Sequence, residues 1–213
     1  LTLTLTLTLT LTLTLTLTLT LTLTPGKIMT VLAGQMNADE SSSSDGSRQR
    51  FSLQLVNVAL EAGGAALGAM GPLVDVLRGD VCRHLLRATQ SEDLATFSVA
   101  LRVVFNLFMS IKDHMKTQLE VFLTSVHIRL LTTNKVFKDK QAAELHSARQ
   151  GETNLNPYPN PSPNLNLTRT LVELALESLL EFCREPALMQ DLYTNYDCDV
   201  QCTNLFDAII KVP

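Results

Sequence analysis

The residues best equipped for chemistry stand together in NYDCDVQCTNLF, positions 195 to 206. Asp197 and Asp199 flank Cys198 in a D-x-D pattern, and Cys202 follows four positions after Cys198. A D-x-D pair can hold a divalent metal and a nucleotide diphosphate, but at the strand ends of an α/β fold, and no strand is at hand here. Cys198 and Cys202, four apart, would share a helix face and could bind a soft metal. A structural zinc needs four ligands, and the nearest histidine, His146, lies more than fifty residues upstream. A packed thiol pair is the simpler reading. His84, His114 and His127 lie in helical segments with no Ser or Cys nucleophile at a recognisable turn, and read as surface or helix-flank residues. Gly63, Gly64, Gly68 and Gly71 form a glycine-rich stretch without the Lys-Ser/Thr pair of a phosphate loop. No catalytic, cofactor or metal motif emerges.

NYDCD then reads as a joint between two helices. Asn195 suits the left-handed conformation that would end PALMQDLYTN. Asp197 or Asp199 can accept from the free N–H groups opening the next helix, and Tyr196 can wedge between the two. Such a joint becomes functional if its tyrosine and acids form a contact surface for a neighbouring domain.

The elements that must position it are helices. FSLQLVNVALEAGG (51 to 64) is an apolar run closing on Gly63-Gly64. Pro72 fits the first turn of PLVDVLRGDVCRHLLRAT, with Leu73, Val76, Leu77, Val81, Leu85 and Leu86 at helical spacing. Ser91 can cap a third helix, whose stripe is Leu94, Phe97, Leu101, Val104, Phe105, Phe108 and Ile111. Asp113 opens a fourth, with Leu119, Phe122, Leu123, Val126 and Leu130 inward. A fifth runs from about Thr170 to Arg184 through Leu171, Leu174, Ala175, Ser178, Leu179 and Phe182. Its Glu173, Glu177 and Glu181 sit at i+4 steps and require solvent. Pro186 starts the next helix, and the last covers roughly Val200 to Lys211. The expected class is all-α, with antiparallel helix pairs in an armadillo-like α-solenoid.

Seventeen basic against 21 acidic residues leave a net charge of -4, which argues against nucleic-acid binding. The four cysteines read as reduced and intracellular in a chain too long to need disulfides. Val99 to Ile111 is the most apolar stretch, and Arg102 and Asn106 break it as a membrane span. Nothing at the N-terminus reads as a signal peptide.

Two segments resist a folded reading. Residues 1 to 24 are Leu-Thr repeated without a break, and TNLNPYPNPSPNLNLT (153 to 168) alternates Asn with Pro. A tandem CTAACC hexamer reads as Leu-Thr in one frame and Asn-Pro in another, so both segments are expected to be translated repeat DNA. The expected organisation is the repeat at 1–24, a disordered lead-in at 25–50, a helical region at 51–134, a linker with the Asn-Pro insertion at 135–168, and closing helices at 169–213.

FCREPALMQDLYTNYDCDVQCTNLF resembles the HUS box (homology upstream of Sec7) and preceding helices of large Golgi Arf guanine-nucleotide exchange factors. Asn195, Tyr196, Asp197, Cys198 and Asp199 match the box, which reads Asn, aromatic, Asp, Cys, Asp. CRHLLRATQSEDLATFSVALRVVFNLFMSIKDHMKTQLEVFLTSV is similar to the region upstream of it. The order of an Arg-Val-Val-Phe helix, then KDHMKTQLEVF, then the box is more specific than any one piece. The resemblance covers about 51 to 134 and 169 to 211, skips the Asn-Pro segment, and is nearer the brefeldin-A-resistance (Gea/GNOM-like) class than the BIG class.

The resemblance implies a helical regulatory region upstream of a Sec7-type domain, whose acidic finger ejects GDP from Arf GTPases. No Phe-Arg-Leu-Pro-Gly-Glu type motif occurs in this sequence, so the fragment is expected not to exchange nucleotide, and Arf to be a partner only through the missing domain. The expected partner of the box is the family's dimerisation region. The expected location is cytoplasmic, peripheral to Golgi membranes. The alternative is a helical-repeat scaffold or adaptor for vesicle transport with no exchange domain, and a third reading is a D-x-D glycosyltransferase.

Overall fold

A computed structural model of the chain describes residues 25–37, 43–132 and 163–211. The Leu-Thr repeat and most of the Asn-Pro segment lie outside the described residues. Among the described residues every regular element is a helix or a helical turn. They group into two compact units, one formed by described residues up to Ala88 with Asn106–Lys116, the other by Thr89–Phe105 with those from Thr117 onward.

The first unit opens with α1 (25–35). The lead-in is therefore helical in part, because Met29, Ala33 and Met36 share one face and are buried. The Gln49 side-chain amide donates to the Met36 carbonyl at 3.0 Å. Helix α2 (Ser43–Gly63) buries Leu53, Val56 and Leu60. It ends as the sequence predicts: Gly64 has φ +47, a left-handed conformation that glycine adopts without a Cβ clash. A 3-10 turn, Gly64–Ala69, leads to α3 (Gly71–Val76), with Pro72 in its first turn.

Where the sequence predicts one regular helix, α3 passes through a π-helical turn, Leu77–Val81, into α4 (Cys82–Ala88). A π turn takes one residue more than an α turn and so advances the facing side chains by roughly 100°. Leu73, Leu77, Val81 and Leu85 remain inward, whereas Val76 and Leu86 are only half-buried and Val74, Cys82 and His84 are buried. The buried residues Leu107, Phe108, Ile111 and Met115 also belong to this unit. Asn106 donates to Asn57 Oδ1 at 2.8 Å and Glu61 Oε1 at 3.0 Å, satisfying a polar position inside an apolar helix.

Helix α5 (Leu94–Ile111) contributes its residues up to Phe105 to the second unit. Its cap is Asp93: the carboxylate accepts the Thr96 N–H at 3.1 Å and the carbonyl accepts the Phe97 N–H at 2.9 Å. Ser91, the residue expected to cap, instead accepts the Asp93 N–H. A helix from Leu94 to His114 is long and apolar enough by composition to cross a membrane, yet half of that window is buried inside the protein. In the second unit it buries Phe97, Ala100, Leu101, Val103 and Val104 as core.

The fourth helix starts later than expected, since Lys112–His114 form a 3-10 turn before α6 (Lys116–Phe122). Helix α6 continues through a second π turn, Leu123–Ile128, into α7 (129–132). The extra residue again moves the face, so His127 and Leu131 are buried while Leu130 is half-buried. Helix α8 (Pro163–Cys183) begins before the expected Thr170 and buries Val172, Ala175, Leu179 and Phe182. Leu171, Leu174 and Ser178 are half-buried. Its outer acids are exposed as expected, and two are paired, Arg169 with Glu173 at 2.9 Å and Arg184 with Glu181 at 2.5 Å. Phe182 meets Phe105 and His127 edge-on, with ring centroids 5.3 and 5.7 Å away. Helix α9 (Pro186–Leu192) and α10 (Leu205–Ile210) close the described chain.

Candidate interaction site

Between α9 and α10 lies the NYDCD stretch. Pro186 starts α9, whose buried Leu188 and Leu192 fix it on the core of the second unit. The helix then widens into a third π turn, Tyr193–Asp197, and the Cys198 N–H reaches the Tyr193 carbonyl at 3.1 Å. Asn195 is exposed inside this turn, and no described non-glycine residue has a positive φ. The helix is thus ended by π widening and tight turns, not by a left-handed asparagine. Turns follow, with Asp199 N–H on the Tyr196 carbonyl at 3.1 Å and Cys202 N–H on the Asp199 carbonyl at 3.0 Å. The last helix starts only at Leu205, because Asp199 binds the Gln201 N–H at 3.0 Å and stabilises a turn where helix was expected.

Asp197 works as a helix cap from outside the helix. One carboxylate oxygen accepts the Phe206 N–H at 2.9 Å and the other accepts the Asp207 N–H at 2.9 Å. These are two of the amides that a helix start leaves without partners, and the negative charge also complements the helix dipole. The N-cap residue, Asn204, makes no side-chain cap of its own. Tyr196 is buried at 3% exposure. Burial pushes its phenol pKa up, and the nearby Glu120, Cys202 and Asp191 add to the rise, so the ring stays neutral. Tyr193 packs edge-on against Phe206, centroids 5.7 Å apart, across the same joint.

The sulfur atoms do not share a helix face. Cys198 is exposed and Cys202 half-buried, both in turns, and the Cys202 thiol lies 3.5 Å from Asp199 Oδ2. No group of three or more His, Cys, Asp or Glu that could hold a metal occurs among the described residues. Both Asp197 oxygens are committed to main-chain donors, so the D-x-D pair is arranged for capping rather than for chelation.

The histidines also differ from expectation. His114 is exposed, but His84 and His127 are buried by the shifted faces of the two π-turned helices. His84 is pushed below the usual histidine range by burial, then by Arg83 and Arg87, against a smaller opposing effect of Asp80. His127 is fully buried, with Nε2 3.0 Å from Ser178 Oγ. Burial pushes its pKa down to about 4, the Phe122 carbonyl opposing in part. A serine and histidine at this distance resemble a nucleophile and base, but a fully buried imidazole that weak in basicity supports packing, not catalysis.

Sequence reasoning missed one residue of the joint. Glu120 on α6 accepts the Thr203 N–H at 2.9 Å, 83 residues away in sequence. Its only sequence signal was membership of the KDHMKTQLEVF stretch.

The HUS domain model described as Mon2/Sec7/BIG1-like matches residues 27–150 and 163–205. The chain belongs to this HUS domain family. The match takes in the whole NYDCD box and skips 151–162, where most of the Asn-Pro segment lies. The HUS chain is 29% identical over 164 residues to the Arf guanine-nucleotide exchange factor GNL2 of Arabidopsis thaliana, covering 77% of this chain and 10% of the relative. It is 32% identical over 160 residues to a Golgi-specific brefeldin A-resistance guanine nucleotide exchange factor 1 homolog of Caenorhabditis elegans, covering 75% and 7%. Identity is 21% over 161 residues to the brefeldin A-inhibited guanine nucleotide-exchange protein 1 of Bos taurus, covering 76% and 7%. These values agree with the expected lean toward the brefeldin-A-resistance class. The HUS chain spans about a tenth or less of the length of these relatives. No solved structure matches it.

Proposed function

We propose that this HUS region is a non-catalytic regulatory and protein-interaction module of a large Arf guanine-nucleotide exchange factor acting in Golgi vesicle traffic. Its box, Asn195 to Asp199, contacts the dimerisation region of the same family, within one chain or between chains. The observation that carries this reading is the committed geometry of the box. Both Asp197 oxygens cap α10, Tyr196 is buried and Asn195 and Cys198 are exposed, an arrangement suited to presenting a shaped joint and unsuited to chemistry. The names of the relatives support exchange-factor parentage and, through the Caenorhabditis elegans relative, a Golgi setting; a cytoplasmic location peripheral to Golgi membranes and Arf as a partner through a separate exchange domain belong to the same reading. The helices are read as antiparallel pairs of an armadillo-like solenoid. The Leu-Thr and Asn-Pro segments are read as translated repeat DNA, a reading that the skipped stretch at 151–162 supports.

The test is calorimetric titration of the purified chain with the region of the Arabidopsis GNL2 relative that corresponds to the family's dimerisation region. The expected result is saturable binding that Tyr196→Ala weakens at least tenfold. An absence of binding by the unaltered, folded chain leaves the alternative, a helical scaffold or adaptor unconnected to an exchange domain.

A further inference from the structure

We infer that the interaction element is bipartite: Glu120 and Asp197 together hold residues 198–204 as a preformed loop whose contact residue is Val200. The partner face it fits is an apolar pocket with a basic rim. This rests on the contact role of the box proposed above.

Two carboxylates grip the loop at its two ends. Asp197, just before it, binds the amides of Phe206 and Asp207, which anchors the start of α10. Glu120 binds the Thr203 amide from another helix, so the loop cannot swing about α10 without breaking a charge-assisted hydrogen bond. Between these grips, the N–H groups of Cys198, Asp199, Gln201 and Cys202 all have acceptors within the unit. A loop with its donors so occupied offers a partner little main-chain hydrogen bonding. It offers Val200 instead, whose side chain is fully exposed at 103%. A short apolar side chain held outward on a rigid loop loses little entropy on docking, and burying it is favourable. The charge beside it sets the rim. Asp199 directly precedes Val200 and Asp197 stands two positions before that, while Asp207 is balanced by Lys211 at 2.6 Å, so the acids next to the valine favour basic groups on the partner.

The test uses the full chain with two readouts: amide hydrogen exchange of the chain alone, and titration with the region of the Arabidopsis GNL2 relative that corresponds to the family's dimerisation region. Val200→Asp is expected to lower affinity by about tenfold or more and leave exchange of residues 198–203 as it was. Glu120→Ala is expected to speed exchange at Thr203 and lower affinity about fivefold to tenfold. Glu120→Gln keeps an amide oxygen that can accept from Thr203, and should restore both values to within about twofold. Unchanged Thr203 protection in Glu120→Ala overturns the grip, and unchanged affinity in Val200→Asp overturns the contact. If the unaltered chain fails to bind while Glu120→Ala still loosens the loop, the contact reading of the box falls and the positioning by Glu120 stands by itself.

Discussion

Helix α5 and the box joint are held in opposite ways. In α5 the order comes from area: Phe97, Leu101, Val104, Phe108 and Ile111 are buried along one stripe, and many small dispersion contacts add up. In the joint from Tyr193 to Leu205 the order comes from a few directed bonds, chiefly those of Asp197, Asp199 and Glu120 to main-chain amides. Area-held structure fails globally when a large side chain is lost. Bond-held structure should open locally, leaving the surrounding core intact. The difference predicts where each kind of substitution will be felt.

The largest effect is expected in the apolar core. Phe182 is fully buried and touches Phe105 and His127, so Phe182→Ala should lower unfolding free energy by about 3–5 kcal/mol in chemical denaturation. A loss under about 1 kcal/mol would mean that the interior around Phe182 is not packed as described.

A second core position is sensitive to pH. His127 titrates near 4 in the folded chain and near 6.5 when unfolded, so between these values the unfolded state binds the extra proton. The stability it supports is complete above about pH 6.5 and falls as pH drops toward 4, by roughly 3 kcal/mol across that window. Urea unfolding followed from pH 7 to pH 4 should show the fall, and His127→Gln should flatten it. An equally steep profile in that variant would assign the pH dependence to other groups.

The smallest effect is expected at the thiols. Cys198 is exposed and carries no part of the amide clamp through its side chain, so Cys198→Ser should change stability by less than about 0.5 kcal/mol. Added zinc should not shift its melting temperature. A rise with zinc that Cys198→Ser removes would revive the metal reading.

The sequence showed the apolar stripe of α5 almost completely, because an uninterrupted α-helix keeps its period. It also showed the glycine stop at Gly64, the proline starts and one acid of the box as a cap. It did not show the π turns at Leu77–Val81, Leu123–Ile128 and Tyr193–Asp197, since one extra hydrogen-bonded residue leaves no mark on composition. Each turn moves the inward face by about one residue. That single cause took His84 and His127 into the interior and moved the buried position from Leu130 to Leu131. Glu120 was hidden for a different reason. Its partner is a main-chain amide 83 residues away, and an amide has no residue type to recognise.

The central claim is that Asp197 organises the joint by capping α10. Amide hydrogen exchange at Phe206 and Asp207 in the unaltered chain and in Asp197→Ala tests it most directly. The cap is expected to contribute about 1–2 kcal/mol, so the two amides should exchange roughly tenfold faster, with the change confined to residues 198–210 and α5 unaffected. Unchanged protection at Phe206 and Asp207 would contradict the account.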